Sequence, residues 1–336
     1  MGRALKENGI ARDKVVIASK VYFNPGRLGS EAIHHEIDGT LERLGTDYLD
    51  LYIIHRFDYD TPISETMEAL NDLIKQGKVR AIGASAMYGY QFQNMQVFAK
   101  ENNLAQFQTM EDHYNLLYRE DERELIPICK QYNVSLMPYS PLAGGHLAHM
   151  GWRTDTLCSK TDPALRGKYD RMEKFDYPIV ERVHELAEKH GVEMSEIALA
   201  WEWAKGVTAP IVGSTKVKHL ESAVKALDVK LSKEEVDYLD ELYVPHPIIG
   251  AINSNPPAGN EKYDYFFPMD DPETVLLIDS WRDQKALDVH HASPMMKELA
   301  ALREKYDLHI RVERYVSDNN GLPDNDKNSL ENKKTI

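Results

Sequence analysis

VVIASKVYF, residues 15–23, is a short apolar run with a lysine inside it, and a helical pattern follows close behind. In SEAIHHEIDGTLERLG, residues 30–45, apolar side chains recur every three or four positions until Gly45. This spacing predicts a helix that ends at the glycine, after a strand formed by VVIAS. A strand followed by a helix is the repeating unit of α/β proteins, so the stretch points to that fold class.

The strand-and-helix unit repeats along most of the chain, six times in all. The later strands are predicted in YLDLYIIH (48–55), VRAIGAS (79–85), AQFQTME (105–111), SLMPYS (135–140) and VTAPIVGS (207–214). Strict alternation indicates a parallel sheet with helical crossovers, and both a doubly wound sheet and a (β/α)8 barrel fit it. Residues 1–9 are interpreted as the tail of an earlier helix.

The composition changes near residue 250. With 336 residues, of which 42% are hydrophobic, the chain can form one large domain and a small one. We assign residues 1–250 to the large domain and the Pro- and Asn-rich stretch 251–261 to a linker. Residues 262–316 have a β-β-α-β pattern typical of a small α+β module, and the polar stretch 317–336 is predicted to be a disordered tail.

Charge and cysteine usage exclude several classes of function. The 40 basic and 54 acidic residues give a net charge of -14, which argues against nucleic acid or a membrane surface as a partner. Cys129 and Cys158 form no CxxC pair, so neither a disulfide framework nor a thiolate metal site is predicted, and no other metal-ligand set is visible. The N-terminus has no signal-peptide pattern, and we expect a cytoplasmic protein.

Polar residues stand at the ends of three successive predicted strands: Lys20, His55 and Ser85. Singly, each has an ordinary explanation as a surface lysine, a hydrogen-bonded core histidine or a helix-capping serine. Together they favour an active site, because parallel α/β folds place their sites at the carboxyl ends of the strands.

These residues lie in segments that resemble the aldo-keto reductase family, in the branch that includes fungal reductases of aromatic polyketide intermediates. The matching segments run in family order: VVIASK, DYLDLYIIHRFD, GKVRAIGAS, DHYNLLYRE, MPYSPLAGGHL and VTAPIVGSTKVKHLESAVKALDVKLSKEE. The resemblance implies a TIM-type (β/α)8 barrel that binds NADPH without a Rossmann glycine fingerprint, and no GxGxxG occurs in the chain. It also implies a small-molecule carbonyl substrate.

The resemblance assigns roles to particular residues. Lys20 matches the catalytic lysine that lowers the pKa of a proton-donating tyrosine, and His55 matches the histidine that orients the carbonyl oxygen. Ser85 matches a residue that binds the nicotinamide carboxamide, Tyr139 the aromatic ring stacked on the nicotinamide, and Lys216 a cation favouring NADPH over NADH. The full set of cofactor-binding residues implied is Ser85, Glu111, Tyr139, Ser140, Leu142, Gly144, Gly213, Ser214, Thr215, Lys216 and Glu221.

The sequence also departs from the family pattern. The resemblance places the catalytic aspartate and tyrosine ahead of the first matching segment, so we expect a barrel lacking its first two strands. Asp47 and Tyr52 have a similar spacing, but they lie on the strand leading to His55. Ala86 and Glu111 stand where the family has an asparagine and a glutamine, and a carboxylate cannot donate to the carboxamide oxygen unless protonated. At the adenine end, Ser222 replaces an asparagine.

The C-terminal module resembles part of an antibiotic biosynthesis monooxygenase domain, which has a dimeric ferredoxin-like fold. The residues that carry the resemblance are Trp281, Ala286, Leu287, His290 and Ser293. It implies a homodimer formed through this module.

The function we expect is NADPH-dependent reduction of an aldehyde or ketone, such as an intermediate of secondary metabolism. Two alternatives remain open. The chain could be a catalytically impaired reductase that acts as a binding or interaction protein, or the C-terminal module could carry a cofactor-free monooxygenase activity that depends on His290.

Overall fold

The computed structural model of the chain describes residues 1–152, 168–169, 172–214, 216–248, 260–266, 276–281 and 284–292. The chain divides into two compact units, Met1–Ser254 and Asn255–Ile336. The linker predicted at 251–261 and the tail predicted at 317–336 fall almost wholly outside the described residues.

A five-stranded parallel sheet organises the first unit. Its strands are β1 (Ala18–Val21), β2 (Leu49–Ile54), β3 (Val79–Ser85), β4 (Thr109–Glu111) and β5 (Ser135–Leu136). They lie side by side in chain order, and each neighbouring pair is parallel. A parallel bridge between Tyr139 and Ile211 continues the order beyond β5. β1 therefore forms one end of the sheet among the described residues.

Helices connect the strands. The helices described in the first unit include α1 (Gly2–Glu7), α2 (Ser30–Leu44), α3 (Ile63–Lys75), α4 (Gly89–Glu101), α5 (Leu125–Gln131), α6 (Glu173–His190), α7 (Met194–Ala204), α8 (Val217–Lys225) and α9 (Lys233–Asp240). The four connections between β1 and β5 run through α2, α3, α4 and α5, and each of these helices contacts the next. In the described part of the chain, no helix is long and apolar enough to cross a membrane.

The strand order distinguishes the two folds that the alternation left open. A doubly wound sheet reverses its strand order at a switch point, which places helices on both faces. Here the order β1 to β5 and then Ile211 never reverses. Because βα crossovers are right-handed, all connecting helices then lie on the same face and the sheet curves as in a barrel. The expectation of a TIM-type arrangement is confirmed.

The core explains why the strands are almost continuously apolar. Leu49, Ile53 and Ile54 of β2 are fully buried, as expected for a strand covered on both faces. Ile33 and Ile37 of α2 are also fully buried, one turn apart on the same helix face. Each such side chain contributes about 1.5–3 kcal/mol of transfer free energy, so the helical spacing seen in the sequence marks the face that closes the core.

Several predicted strands are shorter than the sequence suggested. The strand predicted at 135–140 ends at Leu136, although the backbone N–H groups of Met137 and Tyr139 still donate to the carbonyls of Met110 and Asp112. The strand predicted at 207–214 is reduced to a single bridge at Ile211. The first strand begins at Ala18 and not at Val15, and it ends at Val21, one residue after Lys20.

The second unit contains an antiparallel pair of strands, β6 (Asn260–Phe266) and β7 (Leu276–Trp281), and the helix α10 (Gln284–His291). This order agrees with the first part of the β-β-α-β pattern expected for the module. The last strand of that pattern, predicted at 309–316, and Ser293 lie outside the described residues.

Candidate active site

The parallel register brings polar residues to the same edge of the sheet. Val21 pairs with Ile54, and Ser85 at the end of β3 pairs with Glu111 at the end of β4. His55 follows β2 directly, and its backbone N–H donates to the carbonyl of Val21 at 3.0 Å. Lys20, His55, Ser85 and Glu111 therefore lie at the carboxyl ends of four adjacent strands, where the sequence predicted a site.

Lys20 and Glu111 form an ion pair. The distance from Lys20 Nζ to Glu111 Oε2 is 2.9 Å, and the side chains are 31% and 7% exposed. Burial raises the pKa of Glu111, and the Lys20 charge acts against this rise. The pair places a cation at the mouth of the barrel and its carboxylate partner on the buried side.

His55 is half-buried beside this pair. Burial lowers the pKa of His55, and the positive charges of Lys20 and Arg56 lower it further. The Phe23 ring packs edge-on against the imidazole with the ring centres 5.0 Å apart. A neutral imidazole carries one N–H donor and one acceptor, which suits a residue that orients a carbonyl oxygen.

Ser85 fixes the backbone around Glu111. Its Oγ donates to the Glu111 carbonyl at 2.8 Å, and the backbone N–H of Ala86 donates to the same oxygen at 3.3 Å. Ala86 has a φ of 46°, a left-handed conformation that asparagine adopts more readily than alanine. The departure from the family asparagine at this position therefore leaves an alanine in a strained backbone.

Tyr139 packs on a cluster that sequence analysis missed. The ring of His113 stacks on Tyr139 with centres 5.1 Å apart and planes 7° apart. His113 Nε2 lies 2.8 Å from the Tyr169 hydroxyl, to which Asn115 Nδ2 also donates at 3.1 Å. Burial lowers the pKa of His113 to about 3, so its imidazole is neutral. The only signal in the sequence was that DHYN directly follows β4.

The loop after Tyr139 makes a tight turn. Asn115 Nδ2 donates to the Ser140 carbonyl at 2.9 Å, and the Gly145 N–H donates to the Leu142 carbonyl at 2.8 Å. Ser140 and Gly144 have φ values of 59° and 66°. Gly144 fits this conformation without a steric penalty, and the turn presents successive backbone groups at the same rim as Tyr139.

A second group of candidate residues precedes and begins α8. Ser214 Oγ accepts the Lys216 backbone N–H at 3.0 Å and donates to the Lys216 carbonyl at 2.7 Å. Gly213, Ser214, Lys216 and Glu221 are exposed. Thr215 lies outside the described residues. Among the described residues, this group makes no hydrogen bond or ion pair with Lys20 or His55, so the candidate residues form two separate clusters.

Asp47 and Tyr52 do not contribute to the site. Asp47 is exposed before β2, and Tyr52 is fully buried within that strand, with no hydrogen-bond partner for its hydroxyl among the described residues. Burial raises the pKa of Tyr52. Among the described residues, no group of three or more His, Cys, Asp or Glu side chains is arranged to hold a metal ion.

Comparisons with known proteins agree with this geometry. Residues 1–244 match the model of the aldo/keto reductase family, and residues 256–302 match that of antibiotic biosynthesis monooxygenases. An aldo-keto reductase of Fusarium vanettenii is 40% identical over 278 residues, which cover 74% of this chain and 75% of the relative. The versiconal hemiacetal acetate reductase of Aspergillus parasiticus is 40% identical over 272 residues, covering 74% of this chain and 79% of the relative.

A solved structure shares the fold. A thermostable aldo-keto reductase crystallised with the inhibitor epalrestat superimposes with a TM-score of 0.57 at 29% identity, covering 72% of this chain and 75% of that one. The match of the family model to more than two thirds of the chain and the placement of Lys20, His55 and Ser85 at the strand ends lead to the same conclusion. The chain belongs to the aldo/keto reductase family.

Proposed function

We propose that the chain is an NADPH-dependent reductase of aldehydes or ketones. The observation that carries the proposal is the juxtaposition of Lys20, His55, Ser85 and Glu111 at the carboxyl edge of one parallel sheet. Family membership supports reduction of a carbonyl group. The choice of NADPH rests on the cation Lys216 at the start of α8.

The described residues fit a nicotinamide dinucleotide. Tyr139 is half-buried, with its ring supported by His113, which is what a stacking platform for a planar ring needs. Ser214 and Lys216 are exposed at the N-terminus of α8, where the helix dipole and a cation attract a phosphate. A Cβ added at Gly213 meets no atom within 4 Å, so the backbone there is open to approach.

The residues at the sheet edge suit carbonyl reduction. Bound NADPH would supply the hydride for the carbonyl carbon and would be oxidised to NADP⁺, and one proton from solvent would complete the alcohol. As the oxygen gains negative charge, the Lys20 ammonium stabilises it electrostatically. Neutral His55 offers an N–H that holds the oxygen in place, because burial, Lys20 and Arg56 lower the pKa of its imidazole.

The proposed substrate class is a carbonyl intermediate of secondary metabolism. The relative in Aspergillus parasiticus is named a versiconal hemiacetal acetate reductase, which supports an aromatic polyketide type of substrate. The low cysteine content and acidic balance are consistent with the cytoplasm as the compartment.

The test compares cofactor binding and turnover in matched lysine variants. Lys216→Ala is expected to weaken NADPH binding about 10-fold while leaving NADH binding unchanged, because only NADPH carries the extra phosphate. Lys218→Ala, also exposed on α8, is the control and should bind both cofactors as the wild type does. Absence of NADPH binding and of NADPH oxidation with a panel of aromatic aldehydes and ketones would contradict the proposal.

The second unit supports an additional candidate activity. The match of residues 256–302 to antibiotic biosynthesis monooxygenases favours oxidation of a quinol or polyketide by O₂, with dimerisation through this unit. Oxygen uptake with a quinol, lost in His290→Ala, is the expected result. A monomeric mass in light scattering would exclude the dimer, and the absence of oxygen uptake would exclude the monooxygenase activity.

A further inference from the structure

The carboxylate at the end of β4 lies where an uncharged amide is expected for the family. Glu111 Oε2 is 2.9 Å from Lys20 Nζ, across a sheet in which two strands separate β1 from β4. Glu111 is 7% exposed, whereas Lys20 is 31% exposed. The carboxylate is thus the buried anchor of the pair, and the ammonium is the end that a ligand can reach.

The backbone of Glu111 is held independently of its side chain. Its carbonyl accepts hydrogen bonds from Ser85 Oγ and from the Ala86 N–H. β4 pairs with β3 on one side and β5 on the other. The position of Glu111 is therefore set by the sheet, and Lys20 follows it, since a long and flexible ammonium chain adapts to a fixed carboxylate.

A role for Glu111 in binding the carboxamide conflicts with its chemistry. An ionised carboxylate has no proton to donate to the carboxamide oxygen, and here its charge is already matched by a lysine. Ser85 Oγ is likewise engaged with the Glu111 carbonyl. The side chain of Glu111 is engaged with Lys20.

We propose that Glu111 is the counter-ion that positions Lys20 for the reaction and that it does not bind the nicotinamide carboxamide. The proposal rests on the NADPH-dependent reduction proposed above. Glu111 holds Nζ at one point beside His55 and compensates its charge inside the barrel mouth. A buried carboxylate costs free energy unless it is paired, and Lys20 is the cation that pairs with Glu111.

The first experiment tests the pair without turnover. Trace acetylation of lysines followed by mass spectrometry measures how strongly each ammonium is held. Replacing the carboxylate in Glu111→Gln is expected to speed acetylation of Lys20 about fivefold, because an ammonium that loses its charged partner is freer to react. Lys78, paired with Asp38 and 29% exposed, is the internal control and should not change. An unchanged rate at Lys20 would overturn the proposal.

The second experiment separates positioning from cofactor binding. Glu111→Gln is nearly the same size, so it is expected to keep the NADPH Kd within about twofold and to lower kcat about 10- to 100-fold, as misplaced catalytic groups do. Glu111→Asp should recover part of the lost kcat, and adding Glu111→Gln to Lys20→Met should cost little more. Glu68→Gln, exposed on α3, should match the wild type.

The outcomes distinguish this proposal from the function on which it rests. Tighter NADPH binding by Glu111→Gln with unchanged kcat would identify position 111 as a carboxamide ligand and overturn the proposal. If the wild type neither binds NADPH nor reduces a carbonyl, the proposed function fails, while the acetylation rates still decide whether Glu111 holds Lys20.

Discussion

Asp176 and His246 form a buried ion pair that joins α6 to the segment after α9, with His246 Nε2 2.9 Å from Asp176 Oδ1. Each side chain is 1% exposed. His246 Nδ1 lies 2.7 Å from the Val244 carbonyl, so both ring nitrogens face acceptors. The rings of Tyr118 and Tyr243 pack on the imidazole. Because two acceptors require two N–H donors, the arrangement favours the imidazolium form.

The first prediction is that stability falls as this histidine loses its proton. Burial opposes the charge, but Asp176, the Val244 carbonyl and the Glu120 carboxylate outweigh it and raise the pKa of His246. A raised pKa means that the folded state binds the proton more tightly than the unfolded state, in which the pKa is about 6.5. The stability that this protonated histidine contributes is fully present below about pH 6.5 and is lost as the pH rises through the pKa of His246 in the folded state.

Asp176→Asn is expected to lower the free energy of unfolding by about 2–3 kcal/mol at pH 6, since it leaves a buried histidine without its carboxylate. It should also flatten the pH dependence between about pH 6 and pH 8. Urea unfolding at several pH values measures both effects. His184→Gln removes a solvent-accessible contact with Glu188 and should change stability by less than about 0.5 kcal/mol. Equal losses in the two variants would contradict the prediction.

The second prediction concerns Asp240, which gathers three donors at the end of α9. Its carboxylate accepts hydrogen bonds from Arg119 Nη1 at 2.9 Å, Trp201 Nε1 at 2.8 Å and Lys205 Nζ at 2.7 Å. Removing the acceptor leaves the guanidinium of Arg119, 9% exposed, with one partner fewer. Asp240→Ala is expected to destabilise the first unit by about 3 kcal/mol.

The control for Asp240 is Asp228→Ala, an exposed carboxylate that follows α8. Thermal unfolding followed by tryptophan fluorescence suits the test because Trp201 is fully buried beside the network. A melting temperature for Asp240→Ala within the error of that for Asp228→Ala would show that the network contributes nothing to stability.

The local features of the fold were predictable because they depend on neighbouring residues. The helix stop at Gly45 is confirmed: its φ is 67°, and its N–H donates to the Leu41 and Glu42 carbonyls. The strand predicted at 79–85 has those bounds in the structure. In both cases the signal lies within a few residues, either in a glycine that allows the left-handed conformation or in an apolar run between turns.

The partners at the site were not predictable, because they come from distant parts of the chain. Lys20 was expected to be catalytic, but nothing in the sequence pairs it with Glu111, since their proximity depends on strand register. The stacking of His113 on Tyr139 and the pairing of Asp176 with His246 are likewise tertiary contacts. Periodicity gives the face of an element, whereas it gives no information on which side chains meet across elements.

The third prediction follows from the backbone of Ala86. A φ of 46° costs a non-glycine residue about 1–2 kcal/mol, and glycine removes that cost while adding entropy to the unfolded chain. Ala86→Gly is therefore expected to be about 0.5 kcal/mol more stable in urea unfolding. Ala84 lies in β3, the strand that ends just before Ala86, and its φ is not positive. Ala84→Gly should therefore be destabilising by about 1 kcal/mol. A change in the free energy of unfolding with the same sign in both variants would contradict the prediction.

The fourth prediction concerns Asp112, which follows β4 and is 1% exposed. Neither carboxylate oxygen has a hydrogen bond of normal geometry in the described part of the chain. Burial raises the pKa of Asp112 to about 7, and the charge of Glu111 adds to the rise. The Asp121 carboxyl is its neighbour, and burial and the charge of Asp112 raise the pKa of Asp121 as well. Glu202, fully buried, is a further acidic neighbour, and burial raises its pKa too. Ionised Asp112 is therefore unfavourable in the folded state.

The sign for Asp112 follows from linkage. The unfolded carboxyl has a pKa of about 3.9, so between that pH and about 7 the folded state holds a proton that the unfolded state has released, and stability falls as pH rises. Asp112→Asn mimics the protonated form and is expected to raise stability by about 1–2 kcal/mol at pH 8, with a much smaller gain at pH 5. Asp47→Asn, an exposed control, should change neither value. An equal gain at both pH values would show that Asp112 is not the titrating group.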